Sequence, residues 1–162
     1  ILHGLYDLTR DWAGKERINV RLVCPPDIGT LDADERRLKQ VILNLIRNAI
    51  AFTPAGGTIT LAAARNGKTV RLSVADTGPG IAPADRERIF QPFERAGSAP
   101  TGTSAAGSRT GTRGAGLGLT LVKTIAELHG GTVELDSAEE RGTTVTLVLP
   151  AIRGHTQDKL KS

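Results

Sequence analysis

The chain has 162 residues, enough for one domain with a full hydrophobic core and too few for two ordinary ones. With 39% hydrophobic and 23% charged residues it lies near globular averages and away from disordered chains, and no apolar run approaches the ~20 residues that span a bilayer. The net charge of +4 comes from scattered Lys and Arg with 3% aromatics, so an anionic ligand or acidic partner explains it as well as nucleic acid does.

No signal peptide is expected ahead of the first element. The single cysteine, Cys24, excludes an internal disulfide and a multi-cysteine zinc site, which fits a reducing compartment. Glycine is over-represented: 19 residues exceed the ~7% average. Gly111, Gly114, Gly116 and Gly118 fall close together, as in loops that approach a ligand.

Ile1, Leu5, Leu8 and Trp12 repeat at helical spacing. That abrupt start is the expectation for a piece of a longer protein. Ile18, Val20, Leu22 and Cys24 alternate with Asn19 and Arg21, a strand ended by Pro25-Pro26. Residues 34–52 read as a helix whose apolar stripe is Leu38, Val41, Ile42, Leu45 and Ala49. At about 100° per residue, Asn44 and Asn48 share a flank roughly 100° from the centre of that stripe. They can therefore border a pocket while the stripe is buried. Thr53-Pro54 and Gly56-Gly57 end the helix.

Residues 58–65 and 69–76 read as strands joined by Asn66-Gly67, the two-residue hairpin signal. Val70, Leu72 and Val74 alternate with Arg71 and Ser73, and the same parity puts Asp76 on the apolar side. A carboxylate facing the core needs hydrogen-bond donors or another strong reason. Thr77-Gly78-Pro79-Gly80 is a sharp turn, and Pro83 suits the first turn of a short helix through Phe90. Residues 96–113 hold no large apolar side chain and no acid, so they read as a long mobile loop.

Leu117 to His129 returns to helical period through Leu121, Val122, Ile125 and Leu128, with Gly130-Gly131 as the stop. Strands at 132–137 and 143–149 end at Pro150, and 151–162 reads as a polar tail. Helices alternating with antiparallel strands imply an α/β fold: a two-layer α/β sandwich with helices on one face.

Three stretches carry chemistry. Asp76-Thr77-Gly78-Pro79-Gly80-Ile81 joins an inward carboxylate to a glycine turn, which suits reading an adenine amino group. The plainer reading is a buried aspartate capping its own turn. Arg113-Gly114-Ala115-Gly116-Leu117-Gly118-Leu119 is a glycine-rich loop entering a helix, whose free amides and dipole favour phosphate. It matches neither a P-loop nor the dinucleotide fingerprint, and flexible loop glycine is its plainer reading. Asn44 and Asn48 offer neutral oxygens of the kind Mg²⁺ takes, or are two solvated helix residues.

In this order the motifs resemble the ATP-binding catalytic domain of bacterial sensor histidine kinases, in the superfamily that includes gyrase, heat-shock protein 90 and MutL ATPases. Asn44-Leu-Ile-Arg-Asn48-Ala resembles the N box and Asp76-Thr-Gly-Pro-Gly-Ile81 the G1 box. Ile89-Phe90-Gln-Pro-Phe93-Glu-Arg95 resembles the F box, and Gly114-Ala-Gly-Leu-Gly-Leu119 the G2 box. Gly142-Thr143-Thr144 with Leu149-Pro150 is similar to the family's last strand pair. The resemblance covers about residues 5–150.

It implies a Bergerat-type fold with a mixed, mostly antiparallel sheet, a catalytic domain over 1–150, a flexible lid at about 94–116 and a tail at 151–162. It implies ATP and Mg²⁺ as cofactors, with Asn48 on the metal and Asn44 supporting metal and phosphates. Asp76 would take the adenine amino group, Gly78, Gly80 and Ile81 would shape that pocket, and Thr143 would lie near the base. Gly114, Gly116 and Gly118, with Leu117 and Leu119, would face the phosphates. Phe90 and Phe93 would anchor the lid, Arg95 would be a phosphate-contacting catalytic cation, and Arg109 and Arg113 would close over the triphosphate. The implied activity is that of a sensor histidine kinase, ATP:protein-L-histidine phosphotransferase, in two-component signalling. The implied partners are ATP or ADP, a dimeric phosphoacceptor helical domain of the same parent, and indirectly a response regulator. No nucleic-acid partner and no membrane contact by the domain are expected, and its place is cytoplasmic beneath a parent that membrane anchoring would suit.

The sequence departs from that pattern at Ala51, where the family often has Lys or Arg three residues after the second N-box asparagine; Arg47, about 100° away from Asn48 on the helix, is one candidate substitute. The superfamily's ATPases place a glutamate where Asn44 stands, and an amide cannot take a proton at neutral pH, so little hydrolysis is expected. His3, His129 and His155 lack the acidic residue that follows the family's acceptor. Two other functions remain open at this level: a pseudokinase-like regulatory module that binds nucleotide or a partner without phosphotransfer, and an anti-sigma-factor type serine kinase.

Overall fold

The computed structural model describes residues 1–82 and 115–151, the side chains of 115–118 excepted. The short helix expected from Pro83 to Phe90, the loop at 96–113, the lid up to residue 114 and the tail at 152–162 lie outside the described residues. So do Phe93, Arg95, Arg109, Arg113, Gly114 and His155.

Helix α1, Leu2–Lys15, buries Leu2, Leu5, Thr9 and Ala13. This is a different phase from the expected stripe, since Ile1 is 50% and Leu8 36% exposed. The Thr9 hydroxyl donates to the Leu5 carbonyl at 2.5 Å, so a polar residue sits inside with its hydrogen bond made locally. Strand β1, Asn19–Val23, follows. Helix α2, Glu35–Phe52, starts where the Asp34 carboxylate accepts from the backbone N–H groups of Arg36 and Arg37. It buries Leu38, Val41, Ile42, Leu45, Ile46 and Ala49, the expected stripe with one more member.

Strands β2, Thr58–Asn66, and β3, Thr69–Asp76, form the hairpin. Asn66 pairs with Thr69, so the two loop residues are Gly67 and Lys68, one position later than the Asn66-Gly67 expectation. Only Gly67 has positive φ (55°), the pattern of a II′ turn, whereas the I′ turn favoured by Asn-Gly needs two such residues. Helix α3, Ala115–Leu128, and strands β4, Thr132–Ala138, and β5, Gly142–Pro150, complete the chain.

The sheet order is β1-β2-β3-β5-β4. Strands β2, β3, β5 and β4 pair antiparallel, while β1 runs parallel to β2 because α2 carries the chain back between them. Ile59, Leu61 and Ala63 of β2, Val70, Leu72 and Val74 of β3, and Val145, Leu147 and Leu149 of β5 are buried with the inner faces of the helices. A mixed, mostly antiparallel sheet thus forms one layer and the helices the other. The opposite sheet face is polar, with Arg71 of β3 paired to Glu134 of β4. Among the described residues, no helix is long and apolar enough to cross a membrane.

Candidate functional site

Asp76 ends β3 opposite Thr143 of β5, and Thr143 lies opposite Ser137 of β4. Directly opposed residues of antiparallel strands share a sheet face. Asp76, Thr143 and Ser137 therefore form one polar row, and the rows behind it are Val74, Val145 and Leu135, then Leu72, Leu147 and Val133. The buried sheet face turns polar at one end.

The half-buried Asp76 carboxylate accepts from the Gly78 N–H at 2.8 Å. Burial pushes its carboxyl above the ordinary carboxylate range, and backbone N–H groups of Gly78 and Thr143 pull the other way. The turn-capping role foreseen for this side chain is therefore real. Those bonds use part of the acceptor capacity of a carboxylate, which has about four lone-pair sites.

The glycine turn is held from three sides. The Thr77 N–H donates to the Thr58 carbonyl (3.2 Å), and the Thr58 N–H donates to the Thr77 hydroxyl (2.9 Å). Gly80, at φ 76°, passes so close to the β4–β5 turn that a Cβ would stand 1.9 Å from the Ala138 carbonyl oxygen. The Glu140 N–H donates to the Pro79 carbonyl (2.6 Å), and the Ile81 N–H to the Ser137 hydroxyl (2.7 Å). A Cβ on Gly78 would meet the Phe52 carbonyl at 2.8 Å, so the last turn of α2 abuts the same turn. Asp76, Gly78, Gly80, Ile81 and Thr143 are thus brought together as the sequence implied.

Asn48 lies one helical turn before Phe52 and Asn44 two turns before it, both half-buried on α2. A groove of about 660 Å³ runs beside Asn44, and its described lining includes Arg36, Gln40, Leu43 and Arg47. The Arg47 guanidinium stacks over the Trp12 ring of α1 at 5.6 Å, so it does not stand in for the cation missing at the exposed Ala51.

His129 sets the direction of α3. Its Nδ1 bonds the Ile125 carbonyl at 2.8 Å, and its Nε2 accepts from the Asp34 N–H at 3.1 Å. This pins the end of α3 to the start of α2, so the two helices run antiparallel. The first turn of α3 accordingly lies toward the end of the molecule that holds Phe52 and the Asp76 row. His129 is structural, as expected from its place at the helix stop.

One expectation needs correction. Helix α3 begins at Ala115, two residues before the expected start at Leu117, so Gly116 joins Leu117 and Gly118 in its first turn, and the last two residues of the 94–116 lid are helical. The free amides there are those of a helix N-terminus. Leu119 is half-buried against the core. Two residues escaped the sequence reading. Ser137 shares the parity of Val133 and Leu135, the same signal that singled out Asp76. Phe52, 45% exposed, lies one turn beyond Asn48 and sets its backbone carbonyl beside the glycine turn.

Known proteins share this sequence pattern and fold. The profile of the histidine kinase-, DNA gyrase B- and HSP90-like ATPase family matches residues 33–153. The chain is 44% identical over 135 residues to the histidine protein kinase DivJ of Caulobacter vibrioides, covering 83% of this chain and 21% of that protein. It is 34% identical over 157 residues to the adaptive-response sensory kinase SasA of a Synechococcus species, covering 96% of this chain and 38% of the relative. It thus spans well under half of each. Among solved structures, the catalytic domain of histidine kinase ThkA superposes with a TM-score of 0.74 at 27% identity, over 92% of this chain and 88% of that one. Full-length ShkA, solved in complex with AMPPNP, gives 0.75 at 35% identity, over 93% of this chain and 29% of that one. With its fold and these relatives in agreement, the chain belongs to the histidine kinase-, DNA gyrase B- and HSP90-like ATPase family, as a histidine kinase catalytic domain.

Proposed function

We propose that this domain binds Mg-ATP and passes the γ-phosphoryl group to a histidine on a separate dimeric helical domain of its parent, for onward transfer to a response-regulator aspartate. The observation that carries the reading is the Asp76 row: a half-buried carboxylate with spare acceptor capacity, closing an apolar sheet face beside a glycine turn. An ionised acid in that position needs a donor-bearing partner, and the amino group of adenine is one. The AMPPNP complex of the similar ShkA chain supports the same ligand class.

The donor set fits the cofactor. Asn48 would hold Mg²⁺ through its amide oxygen, with Asn44 supporting metal and phosphates; hard cations of this kind prefer oxygen ligands. The first-turn amides of α3 offer phosphate donors, and the antiparallel α2–α3 pair carries them to the Asp76 end. Arg95, Arg113 and Gly114 belong to the proposed lid, with Phe90 and Phe93 as its anchors. When bound, Mg-ATP supplies the transferable phosphoryl group and neutralises its charge. The chain's residues bind, orient and exclude water, and positioning of this kind accounts for most of phosphoryl transfer. Asn44 cannot take a proton from water, which reserves the phosphoryl group for the histidine. The domain would work in the cytoplasm.

Titration of the domain with ATP should show Mg²⁺-dependent binding that Asp76→Asn abolishes, and unchanged affinity in that variant would remove the adenine assignment. One observation favours a second reading, a nucleotide-binding module without phosphotransfer. Ala51 leaves the N-box flank without its usual cation, and Arg47 is engaged with Trp12. Labelled ATP with the parent's helical domain decides: acid-labile phosphate supports the kinase, and none at any Mg²⁺ concentration supports the module.

A further inference from the structure

We propose that Trp12 lowers the affinity of this domain for nucleotide phosphates by holding Arg47 on the α1 side of α2. This role rests on the reading of Asn44 and Asn48 as the metal and phosphate flank. It adds a positioning residue that lies outside the nucleotide site and acts on it through Arg47.

The sheet order sets the sides. Helix α1 packs on β1 at one edge of the sheet, α2 on β3 at its centre, and α3 on β4 and β5 at the other edge. Helix α2 therefore lies between α1 and α3. The proposed phosphate site, between the two asparagines and the first turn of α3, is on the α3 side. The exposed Arg47 can serve either side. It follows Asn44 by three residues, which places the two Cβ atoms about 5–6 Å apart. It precedes the exposed Ala51 by four, and that methyl group leaves the flank open to a long side chain.

Helix α1 decides the direction. Trp12 is half-buried against the core, and the Arg47 guanidinium stands 5.6 Å from the centre of its ring. Indole is the strongest aromatic partner for a cation. The ion pairs among the described residues join Arg37 to Asp34, Lys39 to Glu35 and Arg71 to Glu134, so no carboxylate competes for Arg47. The indole is thus the contact that a triphosphate must break before Arg47 can swing to it. Without that ring, the only cation beside Asn44 and Ala51 on this flank is released to the phosphates.

Direct titration of the domain at low salt tests this. Trp12→Leu keeps an apolar side chain against the core and removes the face that holds the cation. ATP affinity should rise about two- to fivefold, the strength of an exposed cation–π contact expressed as a ratio. In an Arg47→Gln background the same change should bring no gain. Adenosine, which carries the base without phosphates, should bind Trp12→Leu and wild type alike. Trp12→Phe keeps an aromatic ring with a weaker face and should show a smaller gain, so it serves where the leucine variant fails to fold. Tyr6→Leu removes the other stack on α1, where Arg10 stands 6.0 Å from the Tyr6 ring centre, and should leave ATP affinity unchanged. Unchanged or lowered ATP affinity in the folded Trp12 variants overturns the proposal. So does an equal gain in the Arg47→Gln background, with adenosine, or in Tyr6→Leu. Failure of the underlying reading looks different: wild type would bind no ATP, or Ala51→Lys would leave ATP affinity unmoved because the phosphates lie elsewhere.

Discussion

Substituting Gly142 by alanine tests the joint between the β4–β5 turn and the Asp76 end of β3. Gly142 is buried with φ 90°, and a Cβ there would stand 1.9 Å from the Asp76 carbonyl oxygen and 2.9 Å from its carbon. An L-residue in that conformation costs about 1–2 kcal/mol. Relieving the clash requires β5 to retreat by about 1 Å from a backbone atom that cannot rotate away, since real Cβ contacts stay beyond 3.0 Å. That retreat loosens the Ser137–Gly142 bond, worth about 1 kcal/mol, and the Thr143 N–H contact to a carboxylate, worth about 1.5–3 kcal/mol. The sum is about 5 kcal/mol, which at ~2–4 °C per kcal/mol lowers the melting temperature by about 10–20 °C. ATP affinity should fall with it, because the atoms that move are those framing Asp76. Gly4→Ala is the control: nothing lies within 4 Å of its Cβ position in α1, and the change should be neutral or stabilise by up to about 1 kcal/mol. Thermal melts and ATP titrations of both variants read the outcome. A Gly142→Ala domain melting within ~2 °C of wild type with unchanged affinity would refute the close approach of the two turns.

Asp76 also links pH to stability. Burial raises its carboxyl pKa in the folded state, so its contribution is present below the unfolded value near 3.8 and is lost as pH rises through the raised folded value. At neutral pH the nucleotide-free Asp76→Asn domain should therefore be more stable than wild type in urea unfolding, with the gap closing as pH falls toward about 4; a gap that ignores pH would count against it. Ala51→Lys puts a cation on the Asn44/Asn48 flank and should raise ATP affinity several-fold at low salt, an effect that salt screens; equal affinity would place that flank away from the phosphates. His129→Ala removes two hydrogen bonds and should cost about 1–3 kcal/mol in urea unfolding while leaving helix content intact, and an unaltered midpoint would deny the α2–α3 link.

Helix α2 and the inward aspartate were legible in the sequence because each is a matter of local period: 3.6 residues for the Leu38–Ala49 stripe, two for Val70–Asp76. The same reasoning failed where a short-range hydrogen bond changed what a residue can tolerate. Thr9 is buried because its hydroxyl is satisfied within its own helix, and Leu8 is left outside. The glycine turn was readable, but not what holds it, since Ile81, Ser137 and Glu140 meet across a long stretch of intervening chain.

By itself, then, the sequence determined which side of each strand and helix is apolar, where the chain turns, and the motif set that identifies the family. Tertiary structure alone decided that β1 runs parallel to β2, that His129 pins α3 antiparallel to α2, and that Asp76, Thr143 and Ser137 fall into one row. The physical reason is register. A local pattern names a face, but which residues of two faces meet depends on strand pairing and packing that bury the whole core at once.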